Sequence, residues 1–489
     1  MDYKKMGLKS IKKNYFYNLI YQIFVLLMPL ITTPYVSRIL GAEGIGEYSY
    51  YYSIVYYFML AAILGTATYA EREISFYQDD REKRSKRFWD LFFLRIITSI
   101  ISGIFYILTI IFVFENKFMA TIVIFNIISV ACDTVWLFQG MEDFGKITLR
   151  DTCVKIITII LIFVFIKSQK DVYLYAFIMS ISPIISSLWL FPFVKNNVDK
   201  VNFKKVEPFH DIKNIIGLFI PTIAISVYAM LDKTMLGLFT QTKIENGYYE
   251  QATKLSKTAL TIVTSLGTVM IPRISYFYEK KQNDLIEKYM LKSYQFVFAI
   301  GIPICFGLIG ISDKLVPWFY GPGFDKVAIL LKLTSLLVIA IGISNITGLQ
   351  YLVPTKQQKI LTLSVCIGAF MNIVLNALLI PKFYSIGAAI ASVIAEFSVT
   401  GVQLHYAKKQ INFKKMKDFL PRYILAGILM LTLLHIENYV FISSVLATFF
   451  MIISGAFLYI TILYILKDEF IMEVKDFIYN KVRNKKNEI

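Results

Sequence analysis

The sequence predicts an all-α polytopic membrane protein of about fourteen transmembrane helices. Three observations predict it: the composition, the length of the apolar runs, and the alternation of charge between them. Of 489 residues, 56% are hydrophobic and only 17% charged, where a soluble domain carries about 25% charged residues. Mean hydropathy is +0.59, and 40 Phe with 32 Tyr lift the aromatic share to 16%. That much apolar surface cannot be hidden in one water-soluble core. Lipid is the solvent that suits it, at about 20 apolar residues for each crossing helix.

The apolar runs fall near 15–40, 45–69, 89–114, 118–138, 150–166, 172–194, 213–238, 247–272, 290–311, 327–350, 358–380, 385–406, 421–436 and 440–466. Several contain Pro or Gly, which membrane helices tolerate because neighbouring helices and side chains satisfy the freed backbone groups. The run from Tyr15 to Leu40 is too long for the apolar region of a signal peptide and lacks an A-x-A site, so it is expected to stay as the first span. Cys132, Cys153, Cys305 and Cys366 all lie in apolar runs and read as small core residues.

Charge then sets the topology. Lys4, Lys5, Lys9, Lys12 and Lys13 precede the first run. Further basic groups are Arg72 with Arg81–Arg87, Lys195–Lys213, Arg273–Lys292 and Lys408–Arg422, followed by a basic C-terminal tail. The intervening loops, 41–44, 115–117, 167–171, 239–246, 312–326, 381–384 and 437–439, are short and poor in basic residues. Fourteen spans place every basic loop on one side, which the positive-inside rule makes cytoplasmic, together with both termini. The net charge of +17 therefore reads as a lipid-facing device, and nucleic acid is rejected as a partner.

Spans one to six recur as spans seven to twelve, offset by roughly 200 residues, the arrangement of parallel transporter repeats. The local echo is Pro29 followed by Gly46-Glu47-Tyr48, against Pro221 followed by Gly247-Tyr248-Tyr249. The expected organisation is an N-terminal lobe over 1–200 and a C-terminal lobe over 201–410. These are six-helix lobes in a pseudo-twofold parallel repeat around a central cavity. Residues 411–489 add spans thirteen and fourteen and the tail.

Charge inside a span costs at least about 2.5 kcal/mol near the bilayer centre, so it faces a cavity or a partner. In span eight, Glu250, Lys254, Lys257, Thr261, Thr264 and Thr268 recur at helical spacing and share one face. Two lysines on one stripe describe a wet, electropositive wall; the plainer reading is a Glu250–Lys254 pair that neutralises itself. Span seven carries the neighbours Asp232 and Lys233, after Thr222 and Ser226. Their side chains point about 100° apart, so one can line a cavity while the other pairs across helices. Span twelve carries Glu396 on a stripe with Ser392, Thr400 and Gln403, where a carboxylate is protonated, paired or binding a cation. Arg95, Asp133, Lys155 and Lys332 lie nearer span ends, where snorkelling explains the basic three as well as function does. Asn18, Gln22, Pro29 and Thr32, and likewise Ser364, Gly368, Asn372 and Asn376, read as helix–helix contacts.

Catalytic motifs are missing. The sequence has no G-x-x-x-x-G-K-[ST], no H-E-x-x-H and no G-x-S-x-G, and no catalytic residue is assigned. From the residues alone, the reading stops at a secondary transporter whose substrate prefers positive charge.

Several strings resemble the Wzx-type oligosaccharide flippases of the multidrug/oligosaccharidyl-lipid/polysaccharide superfamily. They are Ser37-Arg38-Ile39-Leu40-Gly41 with Gly46-Glu47-Tyr48-Ser49; Thr68-Tyr69-Ala70-Glu71-Arg72-Glu73-Ile74; and Trp136-Leu137-Phe138-Gln139-Gly140-Met141-Glu142. The longest, Tyr228 to Gly237, holds Asp232-Lys233 and is followed by Gly247-Tyr248-Tyr249-Glu250 and by Thr264 to Arg273. The resemblance implies two six-helix lobes, two extra helices and alternating access coupled to a cation gradient, H+ or Na+, with no other cofactor. It implies an undecaprenyl-diphosphate-linked oligosaccharide as substrate and a bacterial cell membrane as location, with polysaccharide polymerase and glycosyltransferases as partners in a capsule, exopolysaccharide or O-antigen pathway. On this reading Lys233, Lys254, Lys257, Arg38 and Arg95 bind substrate. Asp232, Glu250, Glu396 and Asp133 serve ion coupling or pairing. The alternatives are a cation-coupled multidrug exporter, which should have an acidic cavity; a polymerase or ligase, which should have a long external loop; and a non-transporting scaffold.

Overall fold

The computed structural model describes residues 3–200, 203–408, 411–473 and 475–476, with side chains at 3–27, 218, 220–225, 228, 268 and 269 outside that set. Asn18, Gln22, Thr222 and Thr268 are thus outside the described side chains. The described residues are helical, with no strand among them. They contain nine stretches long and apolar enough to cross a membrane. The chain divides into two compact units, residues 1–247 and 248–489.

The first unit holds α1 (Tyr3–Ile63), α2 (Thr66–Phe76), α3 (Arg81–Phe112), α4 (Lys117–Val123), α5 (Phe125–Cys132), α6 (Val135–Gly140), α7 (Phe144–Phe165), α8 (Val172–Asn197) and α9 (Ile212–Phe239). Polar caps start several of these helices by taking up orphan N–H groups. Asp80 accepts the Lys83 amide at the head of α3, and Asn116 accepts that of Met119 at the head of α4. Ser168 and Asp171 form a capping box ahead of α8.

The expected loop at 41–44 is instead one break inside α1. Gly41 adopts φ 68 and ψ 177, a conformation open to glycine because it has no Cβ. The second unit repeats the device. Its helices are α10 (Ile244–Thr264), whose first turn belongs to the first unit, α11 (Gly267–Glu279), α12 (Asn283–Tyr320), α13 (Asp325–Thr334), α14 (Leu336–Ser344), α15 (Gln358–Ala407), α16 (Leu420–Val440) and α17 (Val445–Ile465). Within α15 the expected loop 381–384 is a break at Tyr384, φ 52 and ψ −129. For a bulky residue that is a strained backbone. The Lys326 ammonium lies 5.6 Å from the Tyr384 ring centroid, a cation–π contact that helps hold it. Expected span eight is likewise interrupted, between α10 and α11, and α14 runs into a π-helical stretch, Asn345–Leu352.

The strings that carry the family resemblance pack on each other. Tyr69, Ala70 and Ile74 share a buried cluster with Trp136, Leu137 and Phe138. Phe88 belongs to the same cluster, its ring tilted 5.1 Å from that of Trp136 and stacked 5.6 Å from that of Phe92. A Cβ at Gly140 would lie 2.7 Å from the Glu71 carbonyl oxygen, so that string ends where backbones touch. Closer still, a Cβ at Gly46 would lie 1.7 Å from the Lys243 carbonyl oxygen, and one at Gly247 would lie 1.9 Å from that of Ala42. The two echoed glycines therefore bring α1 and the first turn of α10 together backbone to backbone, as small residues do in membrane bundles.

Helix α9 packs on α1 and α2, inside the first compact unit, which ends at Gly247. The seam is polar: the Thr234 hydroxyl is 2.9 Å from that of Ser53 and 3.0 Å from that of Tyr57. In the second unit, α16 and α17 pack on α12.

Candidate functional site

Within the first unit, residues from six helices line a polar cavity of about 230 Å³. Its charged walls are Arg95 from α3, Asp133 at the end of α5 and Arg150 from α7, with Ser129, Ser186 and Ser187 beside them. Arg95 is 1% exposed, so it does not snorkel. Its guanidinium donates to the Thr66 hydroxyl (3.1 Å), the Asp133 carbonyl (2.9 Å) and the Asp133 carboxylate (2.9 Å). Asp133 also accepts the Val135 amide at 3.1 Å. A buried charge is tolerable when paired and hydrogen-bonded in this way. Arg150 holds the adjacent Asp151 carboxylate at 2.9 and 2.5 Å, while Lys155 is half-buried one turn further along α7. Sequence reasoning singled out Arg95, Asp133 and Lys155 without seeing the pair, and it missed Arg150 and Asp151. These two stand at the mouth of an apolar run, where charge reads as ordinary loop. Lys332 finds Asp313 at 2.7 Å.

Arg38 is exposed on α1, three residues before the Gly41 break. Asp232 and Lys233 are both buried in α9. The Lys233 carbonyl accepts from the Asn246 side chain at 2.7 Å, which ties α9 to the start of α10.

Helix α10 explains its own pattern. Tyr249, Ala252, Thr253, Ser256 and Val263 are buried and recur at helical spacing. Tyr249 meets the Ser392 hydroxyl at 2.8 Å, Ser256 meets that of Thr334 at 2.8 Å, and the Gln251 carbonyl accepts from Tyr320 at 3.0 Å. With that face packed, Glu250, Lys254 and Thr264 are left half-buried, and Lys257 and Thr261 exposed. The lysine stripe thus lies off the packed face of α10. Glu396 is half-buried on α15. Its stripe partners are committed to packing: Thr400 donates to the Ala340 carbonyl at 2.9 Å, and Gln403 donates to Ser364 at 3.1 Å.

A further polar set closes one end of the first unit. Asn116 donates to Glu47 at 2.6 Å and to the Tyr173 hydroxyl at 2.9 Å. The Lys243 ammonium lies 4.5 Å from the Tyr50 ring centroid and donates to the Gly237 carbonyl at 2.5 Å. Burial pulls its amine below the usual lysine range, against the opposing pull of Glu115 and Glu47. No periodic signal points to this set, because Lys243 stands alone in a short loop.

Long apolar helices, two of them broken at single residues, mark a multi-pass membrane protein. The fold agrees. The lipid II flippase MurJ in an inward closed conformation superposes with a TM-score of 0.73 at 18% identity, covering 92% of this chain and 99% of that one. An inward-facing multidrug resistance MATE family transporter gives 0.66 at 13% identity, covering 81% and 99%. By sequence, a protein named "Putative O-antigen transporter" from Escherichia coli (strain K12) is 25% identical over 406 residues, 82% of this chain and 97% of its own length. The family described as "Polysaccharide biosynthesis protein" matches residues 11–278. The chain belongs to that family, in keeping with its resemblance to the Wzx-type flippases.

Proposed function

We propose that this protein carries an undecaprenyl-diphosphate-linked oligosaccharide from the cytoplasmic to the outer leaflet of a bacterial cell membrane by alternating access, for assembly of a surface polysaccharide. The observation that carries the proposal is the lysine stripe of α10. Lys257 lies about 20 Å along the helix axis from Ile244, at 1.5 Å per residue, on a face the rest of its unit leaves uncovered. A cation at that depth favours anionic groups beside it. A diphosphate offers several charged acceptors and arrives only during transport, while the polyprenyl tail stays in lipid. Within the second unit Lys254 lies on the same stripe, and within the first unit Lys233, Arg38 and Arg95 are assigned to substrate binding. Asp232, Glu250, Glu396 and Asp133 balance those cations or couple transport to H+ or Na+. The names of the E. coli relative and of the MurJ structure support this substrate class.

The same reading gives fourteen crossings. Two of the nine apolar stretches fall in unusually long helices, α1 with 61 residues and α15 with 50, at least twice what a crossing needs. Broken at Gly41 and Tyr384, each supplies two crossings. α7, α9 and α10 supply the remaining three. Both termini are then cytoplasmic, near the glycosyltransferases that build the substrate, and the polymerase acts on the other side.

The test is translocation of a lipid-linked oligosaccharide in vesicles. Lys257→Arg should retain partial rate, whereas Lys257→Ala and Lys257→Glu should lose at least about tenfold, a loss of about 1.4 kcal/mol in transition-state binding, with normal membrane insertion. Wild-type rates for Lys257→Ala would remove the cationic wall from the mechanism.

A further inference from the structure

Beyond the transport path, the second unit has an apolar groove of about 530 Å³ where the short 3-10 helix Phe413–Asp418 meets the first turns of α16. Its walls include Phe413, Met416, Leu420, Ile424 and Ile428, and its one charged wall residue is Lys417. The short helix is fixed from behind. Lys415 pairs with Glu287 at 2.6 Å, and the Phe413 ring lies 5.7 Å from that of Tyr294. With those two residues engaged, Met416 and Lys417 are left to roof the groove. Ile424 and Ile428 stay 39% and 49% exposed along its floor.

We propose that this groove binds an acidic glycerophospholipid, with one acyl chain along α16 and the phosphate at Lys417. The chemistry is two-part, and so is the site. The apolar trough has Lys417 in its wall, and two more cations lie close by in the chain: exposed Lys414 one turn earlier, and Arg422 in the first turn of α16. Asp418 is the single acidic side chain in the 413–422 stretch, so the mouth keeps a positive balance. α16 begins there, and the positive end of its dipole adds to the field. A zwitterionic lipid would fill the trough equally well but gain nothing from the mouth. Short basic segments at a bilayer surface gain about 1 kcal/mol per cation from acidic lipid, and the interfacial 3-10 helix places its lysines at headgroup height.

The experiment is a binding measurement and does not depend on which substrate is flipped. The full chain is purified, stripped of lipid in detergent, and titrated by native mass spectrometry with phosphatidylglycerol, phosphatidylcholine or undecaprenyl phosphate. Phosphatidylglycerol should bind in preference to phosphatidylcholine. Lys414→Ala with Lys417→Ala should weaken phosphatidylglycerol about thirtyfold and leave phosphatidylcholine unchanged. Ile428→Trp, which fills the trough, should remove the phosphatidylglycerol adduct with every charge in place. Equal binding of the two phospholipids, or unchanged binding in the lysine variant, overturns the proposal. So does displacement of phosphatidylglycerol by equimolar undecaprenyl phosphate that Ile428→Trp abolishes, which assigns the groove to the carrier lipid. Should Ile428→Trp not fold, the lysine variant, whose changes are at exposed positions, decides alone.

Discussion

Arg95 and Asp133 show how a buried charge is kept in an apolar bundle: one guanidinium serves a hydroxyl, a carbonyl and a carboxylate at once. Removing one partner leaves the other unpaired, and for buried pairs that costs about 3–5 kcal/mol. Asp133 keeps 30% side-chain exposure, so Arg95→Ala should cost about 3 kcal/mol, the lower end of that range. The double variant Arg95→Met with Asp133→Leu should recover much of the loss. Thermal unfolding in detergent across the four-member cycle measures the coupling, and additive losses would mean that the pair is not the stabilising unit. Glu396 calls for a different readout, because its role is tied to transport. Glu396→Gln should flatten the pH dependence of translocation while membrane abundance holds, and an unchanged pH profile makes Glu396 a structural side chain. The sequence exposed these residues one by one, through the cost of charge in apolar runs. It could not pair Arg95 with Asp133, which are 38 positions apart, because no helical period links them.

At the scale of the element, periodicity carried the argument furthest in α10. The stripe from Glu250 to Thr264 was legible because a packed face and an open face repeat every three to four residues. The breaks in α1 and α15 were legible only as short loops, since nothing in 41–44 or 381–384 says that one residue's φ and ψ suffices. The segment between α8 and α9 shows a different logic. It is strapped to α3 by Arg81–Asp199 at 2.9 Å, Lys86–Glu207 at 2.8 Å and Arg87–Asp211 at 2.5 Å. The Lys86 ammonium, by hydrogen bond and by charge, holds the Glu207 carboxyl below its ordinary value of 4.5. A depressed carboxylate contributes its stabilisation above that ordinary value and loses it as the pH falls through the lowered one. A spin label at Lys204→Cys should therefore be restrained near neutral pH and gain mobility on acidification below 4.5. It should also gain mobility at high salt, which screens exposed pairs. In a Glu207→Gln background the label should be looser at neutral pH and lose its acid response; an identical response there would take Glu207 out of the strap.

For the whole molecule, the alternation of basic and bare loops remains the strongest topological statement, and a cysteine at Thr242 tests it against one at Lys204. Thr242 is exposed, whereas nearby Asn246 is fully buried and would not report. With Cys132, Cys153, Cys305 and Cys366 replaced by alanine, an impermeant thiol reagent applied to intact cells should label Thr242→Cys and spare Lys204→Cys. The reverse pattern would invert the topology. Fold class was legible because lipid imposes a crude rule, about 20 apolar residues per crossing. The packing of α9 was not legible, because it joins its neighbours through hydroxyl contacts with Ser53 and Tyr57 that hydropathy does not see. The paired approach of Gly46 and Gly247 bears on how this sequence can drift. Each glycine faces a carbonyl oxygen of the opposite segment, so a methyl group at either position wedges the same seam, and no second substitution elsewhere restores the lost distance. In a saturation mutational scan, these two positions should stand out as a matched pair of intolerant sites, fixed by the reach of two backbones and indifferent to the polarity of the residue tried.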